Sequence, residues 1–174
     1  FNNQPVSETQ IRSMTDVIKH RGPDGEGSWI NKNVGLGHRR LAIIDLSKSG
    51  NQPMKTLNER YILTYNGEVY NFRELRVQLE KLGYSFNSKT DTEVVLNAYA
   101  EWKEKCVEKF NGMFAFAIWD NHKKELFIAR DRYGIKPLYY FKNEKSFVFG
   151  SEIKAILKSG HYSTNLDKTG LIEY

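Results

Sequence analysis

Apolar residues recur every three or four positions in three stretches of the chain, and that spacing places them on one face of a helix. In the first stretch, Ser7 and Gln10 form a possible capping box, and the helix is expected to end near His20. Two further helices are predicted over residues 72–82 and about 92–110. The residues on the three apolar faces are Ile11, Met14, Val17 and Ile18, then Leu75, Leu79 and Leu82, then Val95, Tyr99, Trp102 and Cys106.

Strands are predicted wherever short β-forming runs are bounded by turn residues. Those runs cover residues 27–31, 34–44, 61–65, 113–120, 125–130, 138–141 and 146–149. The run 113–120 is apolar on both faces, so both faces of its sheet are expected to be covered. Turns at Asp120-Asn121-His122 and Asn143-Glu144 predict hairpins, which fit antiparallel sheets and not a parallel doubly wound fold. The predicted architecture is α+β, a sandwich of two antiparallel sheets with helices outside.

The segment Asn66-Gly67-Glu68 follows the predicted strand 61–65 directly. Asn71 and Glu74 then predict a capping box for the next helix, so the segment is expected to lie between a strand end and a helix start. At such an edge a carboxamide, a backbone N–H and a carboxylate can point into one space. The alternative is a turn in which Asn66 and Gly67 serve only backbone geometry.

Composition and charge narrow the class of protein. The chain has 174 residues, enough for one domain with a substantial core. Its net charge of +5 comes from 26 basic and 21 acidic residues scattered through both halves, which argues against a nucleic-acid surface. A single cysteine favours a reducing compartment. No signal-peptide pattern and no apolar run of membrane length is present, so a cytoplasmic protein without membrane contact is expected.

Two charged residues are candidates for binding a small ligand. Arg40 lies in a β-forming run, where an inward guanidinium needs an anion. A substrate carboxylate fits, and so does a structural ion pair with Asp45 or another acid. Asp91 lies just before a predicted helix, where it is expected to cap that helix or to hold a substrate ammonium, and the two roles can coexist.

Other reactive residue types point to structural roles. Cys106 shares the apolar face of the third predicted helix, so it is interpreted as a small core residue and not as a nucleophile. No histidine pairs with another at ligand spacing, so no metal site is predicted. Asp24 and Asp131 lie in loops rich in Gly, Pro and charge, and both are expected to hold loop backbone; Asp131 is also a candidate to face a partner domain.

Eight segments in one order resemble the glutaminase domain of glutamine-hydrolysing asparagine synthetases, within the class II glutamine amidotransferases. The resemblance covers nearly the whole chain. The segments are residues 21–25, 38–45, 52–54, 66–71, 90–93, 111–116, 130–139 and 151–155.

The resemblance implies an N-terminal-nucleophile hydrolase fold, with four layers in the order αββα and two antiparallel sheets. It also implies that a cysteine at the start of the mature chain attacks the side-chain amide of glutamine, with its own α-amino group as the base. The ammonia then passes to a second domain, which adenylates and amidates aspartate. Glutamine and that synthetase domain are therefore the expected partners. ATP and magnesium are expected in the synthetase domain, and no cofactor in these residues.

The resemblance also implies roles for individual residues. Arg40 matches the arginine that binds the α-carboxylate of glutamine, and Asp91 matches the acid that receives the α-ammonium. Asn66 and Gly67 match the oxyanion-hole pair, and Glu68 matches a position that contacts glutamine. The neighbouring pocket wall is matched by Leu41, Ile43 and Ile44.

The likeness has one departure, at its front. The family begins Met-Cys-Gly-Ile or similar on a short strand, whereas this chain begins at Phe1 and stops at Tyr174 within a predicted apolar helix. The chain is therefore expected to be a glutaminase domain that lacks its N-terminal strand and its synthetase domain, and to be inactive alone. Two alternatives stay open: a non-catalytic domain that binds an amino acid or a protein partner, and a glutaminase domain serving another acceptor.

Overall fold

The computed structural model describes residues 5–43 and 45–161. Its helices and strands follow the predicted order, with the strands grouped in three antiparallel units. The helices are α1 (Glu8–Asp16), α2 (Phe72–Lys81), α3 (Asp91–Trp102), α4 (Cys106–Lys109) and α5 (Ile153–Leu157). The strands are β1 (Gly25–Asn31), β2 (Val34–Arg40), β3 (Met54–Lys55), β4 (Tyr61–Val69), β5 (Gly112–Asp120), β6 (Glu125–Arg130), β7 (Tyr139–Lys142) and β8 (Phe147–Gly150).

The central sheet has four strands in the order β3-β4-β5-β6, all antiparallel. The β4–β5 pair is the longest: Tyr61 lies opposite Asp120 at one end and Val69 opposite Gly112 at the other. Two separate hairpins, β1-β2 and β7-β8, make up the second β layer of the described residues. The predicted αββα order is confirmed, although the second layer consists of two hairpins and not of one continuous sheet.

The main hydrophobic core lies between the central sheet and helices α2 and α3. Alternate residues of β4 and β5 face this core, and Cys106 is fully buried in it. Burial raises the pKa of the Cys106 thiol to about 12, so the expected structural role of this cysteine is confirmed. On the far side of the molecule, α1 packs on β1 and β2, and α5 packs on β7 and β8. The strand residues in the core are Tyr61, Leu63, Tyr65, Val69, Phe114, Phe116 and Ile118.

Two predicted helices are shorter in the structure than their apolar pattern indicated. Helix α1 ends at Asp16, and a separate 3₁₀ turn covers Lys19–Arg21. The predicted helix 92–110 is interrupted at Lys103, whose φ of 53° lies in the left-handed region, and the chain resumes as α4 after one 3₁₀ turn. The apolar residues keep their helical spacing across these breaks because each short helix has its own buried face.

Strand β4 is longer than predicted, and this changes the setting of Asn66-Gly67-Glu68. The prediction that this segment follows the strand is wrong, because it lies inside β4 and pairs with residues 113–115 of β5. The capping box predicted for α2 is also wrong. The Asn71 side chain makes no cap bond and instead contacts the Lys109 carbonyl at 2.9 Å and the Asn111 N–H at 3.0 Å.

The loop after β6 is held by one buried carboxylate, as the sequence predicted for Asp131. Its oxygens accept hydrogen bonds from the backbone N–H groups of four residues: Phe114, Tyr133, Ile135 and Lys136. Burial alone would raise the pKa of Asp131, but these hydrogen bonds outweigh it and hold the pKa below the ordinary value of 3.8. The ionised carboxylate therefore stabilises the fold.

Replacing Asp131→Asn is expected to lower the free energy of unfolding by about 1–3 kcal/mol, because an amide cannot satisfy as many backbone donors. Urea denaturation at neutral pH measures this loss. A depressed pKa gives stability above the unfolded-state pKa that is lost as the pH falls through the folded-state value, so the difference from the unsubstituted chain should shrink below pH 3.8. The exposed Glu144→Gln change is the matched control, and equal stabilities of the two variants would contradict the assigned role.

Candidate functional site

A cavity of about 1290 Å³ lies between the two β layers. Its walls include consecutive residues of β2 and β4, with further residues from α1, β5, β6 and β8, the start of α3 and the loop after β2. His38 and Arg40 of β2 line it, and so do Thr64 and Asn66 of β4. The cavity therefore brings together residues that lie far apart in the sequence.

Asn66 contributes a buried donor that has no partner. Its Nδ2 atom is buried and makes no hydrogen bond within the described residues. An unsatisfied buried polar group costs about 1–3 kcal/mol, so native proteins retain few of them without a reason. Because Asn66 lines the cavity, this amide is available to a ligand there.

The backbone N–H of Gly67 points away from β5, toward the edge of β4 that β3 leaves unpaired beyond Leu63. Gly67 lies opposite Phe114, whose N–H and C=O both bond to Asp131 on the other side of β5. In an antiparallel pair this makes Gly67 and Phe114 a non-hydrogen-bonded pair, and the Gly67 N–H is directed away from β5. On either side of it along the same edge, the N–H of Tyr65 bonds to Gln52 and that of Val69 bonds to Asp91.

A glycine is required at position 67 by its surroundings. A Cβ atom there would lie 2.6 Å from the Met113 carbonyl oxygen and 2.8 Å from both the Phe114 Cα and a ring carbon of Tyr65. Two of these three neighbours are backbone atoms of β5, which cannot rotate away. The absent side chain thus allows β4 and β5 to approach and the Tyr65 ring to cross above the strand.

Asp91 is a buried carboxylate without a cationic partner among the described residues. It is 5% exposed, it is the first residue of α3, and it lines the cavity. Its Oδ2 accepts hydrogen bonds from the Tyr65 hydroxyl at 2.6 Å and the Val69 N–H at 3.1 Å. The predicted capping role is wrong, because Thr90 is the N-cap and accepts the hydrogen bond from the Glu93 N–H.

Arg40 is held by uncharged oxygens. Its guanidinium donates to the Ser47 carbonyl at 2.7 Å, to Asn51 Oδ1 at 2.9 Å and to the backbone carbonyl of Asp45. The Asp45 carboxylate instead accepts from the N–H groups of Ser47 and Lys89. The alternative of an Arg40–Asp45 ion pair is therefore wrong within the described residues, although the two residues do touch. No carboxylate of the described residues lies within ion-pair distance of Arg40, which lines the cavity.

The remaining predicted site residues fall into three groups. Leu41 and Ile43 line the cavity but are 56% and 76% exposed, so they form its rim. Glu68 also lines it and is exposed. Ile44 lies outside the described residues, and its place in the pocket wall stays a prediction.

Three residues at the site carried no assigned role in the sequence. Gln52 is buried and bonds both backbone groups of Tyr65, which substitutes for a neighbouring strand. Tyr65 reaches Asp91. His38 lies 3.4 Å from the Thr64 hydroxyl, and burial first, with Arg40 second, lowers its pKa to about 4, so its imidazole is neutral at pH 7. Gln52, Tyr65 and His38 lie at the site because the fold brings them there, and no local sequence pattern predicts that proximity.

The arrangement suits a zwitterion that also carries a carbonyl group. A guanidinium and a carboxylate, each without an ionic partner in the described part of the chain, line one cavity, and two N–H donors accompany them. The sole cysteine of the chain does not line this cavity. Within residues 5–43 and 45–161 no cluster of three or more His, Cys, Asp or Glu could hold a metal ion, and no helix has the length and apolarity to cross a membrane.

Comparison with known proteins places these observations in context. Residues 1–174 match the glutamine amidotransferase domain family. The chain is 47% identical over 176 residues to glutamine-hydrolysing asparagine synthetase 3 of Bacillus subtilis, covering 99% of this chain and 28% of that protein. It is also 40% identical over 153 residues to amidase chry2 of Gibberella zeae, covering 87% of this chain and 23% of the relative. The chain thus spans less than a third of the length of these relatives.

The fold has a solved counterpart. Glutamine phosphoribosylpyrophosphate amidotransferase from B. subtilis superposes with a TM-score of 0.78 over 91% of this chain and 42% of that chain. The sequence identity is 21%, so the likeness concerns the fold. It agrees with the N-terminal-nucleophile hydrolase architecture predicted from the sequence.

The crowding around Gly67 gives a test of the site geometry. Gly67→Ala is expected to reduce the free energy of unfolding by about 1–3 kcal/mol, because the new methyl group meets β5 backbone at 2.6–2.8 Å. Gly25→Ala in β1 is the control: its Cβ would lie 3.6 Å from Arg40 Cβ, an ordinary contact, so a change within about 0.5 kcal/mol is expected. Urea denaturation compares the two, and equal losses would contradict the described packing.

Proposed function

The chain belongs to the glutamine amidotransferase domain family, and we propose that it binds free glutamine and supports hydrolysis of the side-chain amide, supplying ammonia for amidation of aspartate to asparagine. The observation that carries the proposal is the buried Nδ2 of Asn66, unpartnered among the described residues and flanked on the cavity wall by Gly67, Arg40 and Asp91. Each of these four groups has a matching group in glutamine.

The two charged residues recognise the amino-acid end of the ligand. Arg40 binds the α-carboxylate through the guanidinium, whose protein partners are uncharged. Asp91 receives the α-ammonium on a carboxylate that otherwise has only neutral donors. Together they select a free amino acid, because a glutamine within a peptide has neither charge. Glu68 and the exposed rim residues Leu41 and Ile43 complete the entrance.

Asn66 and Gly67 act at the amide end. Their two N–H groups hydrogen-bond the amide oxygen as it gains negative charge in the tetrahedral intermediate. The Gly67 N–H is fixed before the ligand arrives, because β4 is paired along its length with β5, and the Asn66 side chain extends from the same strand. Such preorganised donors typically contribute 10²–10³-fold each to turnover, that is about 2.7–4 kcal/mol.

The attacking thiol must come from outside residues 1–174. Cys106 is fully buried in the helix-side core, and the pKa of its thiol is raised to about 12, so it supplies no nucleophile at the cavity. We propose that the thiol is carried on a preceding strand that enters between β2 and β8, two strands that both line the cavity and that have one paired neighbour each in the described region. ATP and magnesium belong, on this proposal, to a separate synthetase domain, which also adenylates aspartate.

The residues at the cavity bear on glutamine and not on the acceptor of the ammonia. Asparagine synthetases are among the relatives with the highest identity, and amidase chry2 matches the same region at 40%. A domain that serves another acceptor, or one that binds an amino acid without hydrolysing it, would keep the same two charged residues. The upstream codons of the parent gene separate a catalytic from a non-catalytic domain, because a catalytic parent requires Cys directly after the initiator Met. The downstream codons separate the acceptors, because the acceptor is chosen in the synthetase domain.

Glutamine binding tests the proposed site directly. Isothermal titration calorimetry of the chain with L-glutamine should show binding that Arg40→Gln and Asp91→Asn each weaken at least about tenfold, since hydrogen bonds to charged groups contribute about 1.5–3 kcal/mol. Arg12→Gln removes an exposed arginine of α1 and should leave the dissociation constant unchanged. Failure of the unsubstituted chain to bind, or equal effects of Arg40→Gln and Arg12→Gln, would contradict the proposal.

A further inference from the structure

We propose that Tyr65 is a positioning residue for the amino-acid end of the ligand: its hydroxyl fixes Asp91 so that one carboxylate oxygen stays free to receive the α-ammonium. This inference rests on the proposed glutamine site and assigns it a further determinant of affinity and specificity.

The hydrogen bonds of Asp91 are distributed unequally between its two oxygens. Oδ2 accepts from the Tyr65 hydroxyl at 2.6 Å and from the Val69 N–H at 3.1 Å. Oδ1 has no donor among the described residues. Two donors from different parts of β4 on one oxygen fix the carboxylate against rotation, and the second oxygen keeps its full capacity to accept hydrogen bonds.

The path of the Tyr65 side chain explains how a residue of β4 reaches the start of α3. A ring carbon of Tyr65 lies where a Cβ of Gly67 would come within 2.8 Å, so the ring crosses the strand above Gly67. Gln52 bonds both backbone groups of Tyr65: its Nε2 donates to the carbonyl at 3.1 Å, and its Oε1 accepts from the N–H at 2.7 Å. The hydroxyl is therefore delivered to Asp91 from a rigid base.

Burial and the neighbouring charge keep this hydroxyl a donor. Tyr65 is 4% exposed, and burial first, then the charge of Asp91 and their hydrogen bond, raise the pKa of Tyr65 well above 10. The hydroxyl therefore stays a neutral donor to Asp91 at physiological pH. No lysine or arginine of the described residues lies within ion-pair distance of Asp91, which matches an ammonium brought by the ligand.

The same ring connects the two ends of the site. Because Tyr65 lies over Gly67 and bonds to Asp91, it sets the spacing between the oxyanion donor and the ammonium acceptor. The hydroxyl itself is not near the reacting amide on this assignment. Its loss should therefore weaken the interaction with the α-ammonium and leave recognition of the amide unchanged.

The test is Tyr65→Phe, which keeps the ring and removes only the hydroxyl. Binding of L-glutamine and of 4-carbamoylbutanoate, the same molecule without the α-amino group, is measured by calorimetry for the intact chain and the variant. The dissociation constant for L-glutamine is expected to rise about tenfold, as for loss of one hydrogen bond to a charged group, with that for the deaminated analogue unchanged. Tyr84→Phe is the matched control, since it removes a 3.1 Å bond to Glu101 in a tyrosine that does not line the cavity.

The outcomes separate this inference from the function on which it rests. Selective weakening of L-glutamine in Tyr65→Phe, absent in Tyr84→Phe, supports the positioning role. Unchanged L-glutamine binding, or equal weakening of both ligands, overturns the inference and leaves the proposed function standing. Absence of L-glutamine binding by the unsubstituted chain overturns both.

Discussion

The free edge of β4 beyond β3 is the constraint on which the site depends. From Tyr65 to Val69 every second residue directs its N–H away from β5, and β3 pairs only as far as Leu63. Each of these backbone N–H groups needs a hydrogen-bond acceptor. The Gln52 side chain takes the donor of Tyr65, the Asp91 carboxylate takes that of Val69, and the one between them, on Gly67, is left for a ligand.

The two charged residues at the cavity, Asp91 and Arg40, likewise lack an ionic partner among the described residues. A buried carboxylate without a cation is unfavourable for folding, because its desolvation costs several kcal/mol. The partly exposed guanidinium of Arg40 is bonded only to neutral oxygens. A single zwitterionic ligand compensates both at once. The cost is offset by the helix-side core, in which β4, β5, α2 and α3 pack together with Cys106. Tyr65 and Phe116 belong to this core and also line the cavity, so the core and the site share the central sheet.

The layer order and most strand positions were predictable from the sequence, because alternation and turn residues act locally. The position of Asn66 and Gly67 inside a strand was not predictable. Asn-Gly followed by a capping pattern indicates a strand end, but pairing with β5 continues β4 to Val69, and Gly112 permits the approach since a Cβ there would lie 2.2 Å from the Glu68 carbonyl oxygen. The Tyr65–Asp91 bond was also beyond prediction, because it joins residues 26 positions apart through space alone.

In the proposed complex the Asn66 amide and the Gly67 N–H are the donors that meet the ligand's carbonyl group. Nuclear magnetic resonance of the ¹⁵N-labelled chain titrated with L-glutamine observes both donors individually. The Asn66 side-chain amide and the Gly67 backbone amide are expected to shift together and to saturate with the same dissociation constant. Saturable shifts confined to other residues, with these two signals unmoved, would show that other groups meet the ligand.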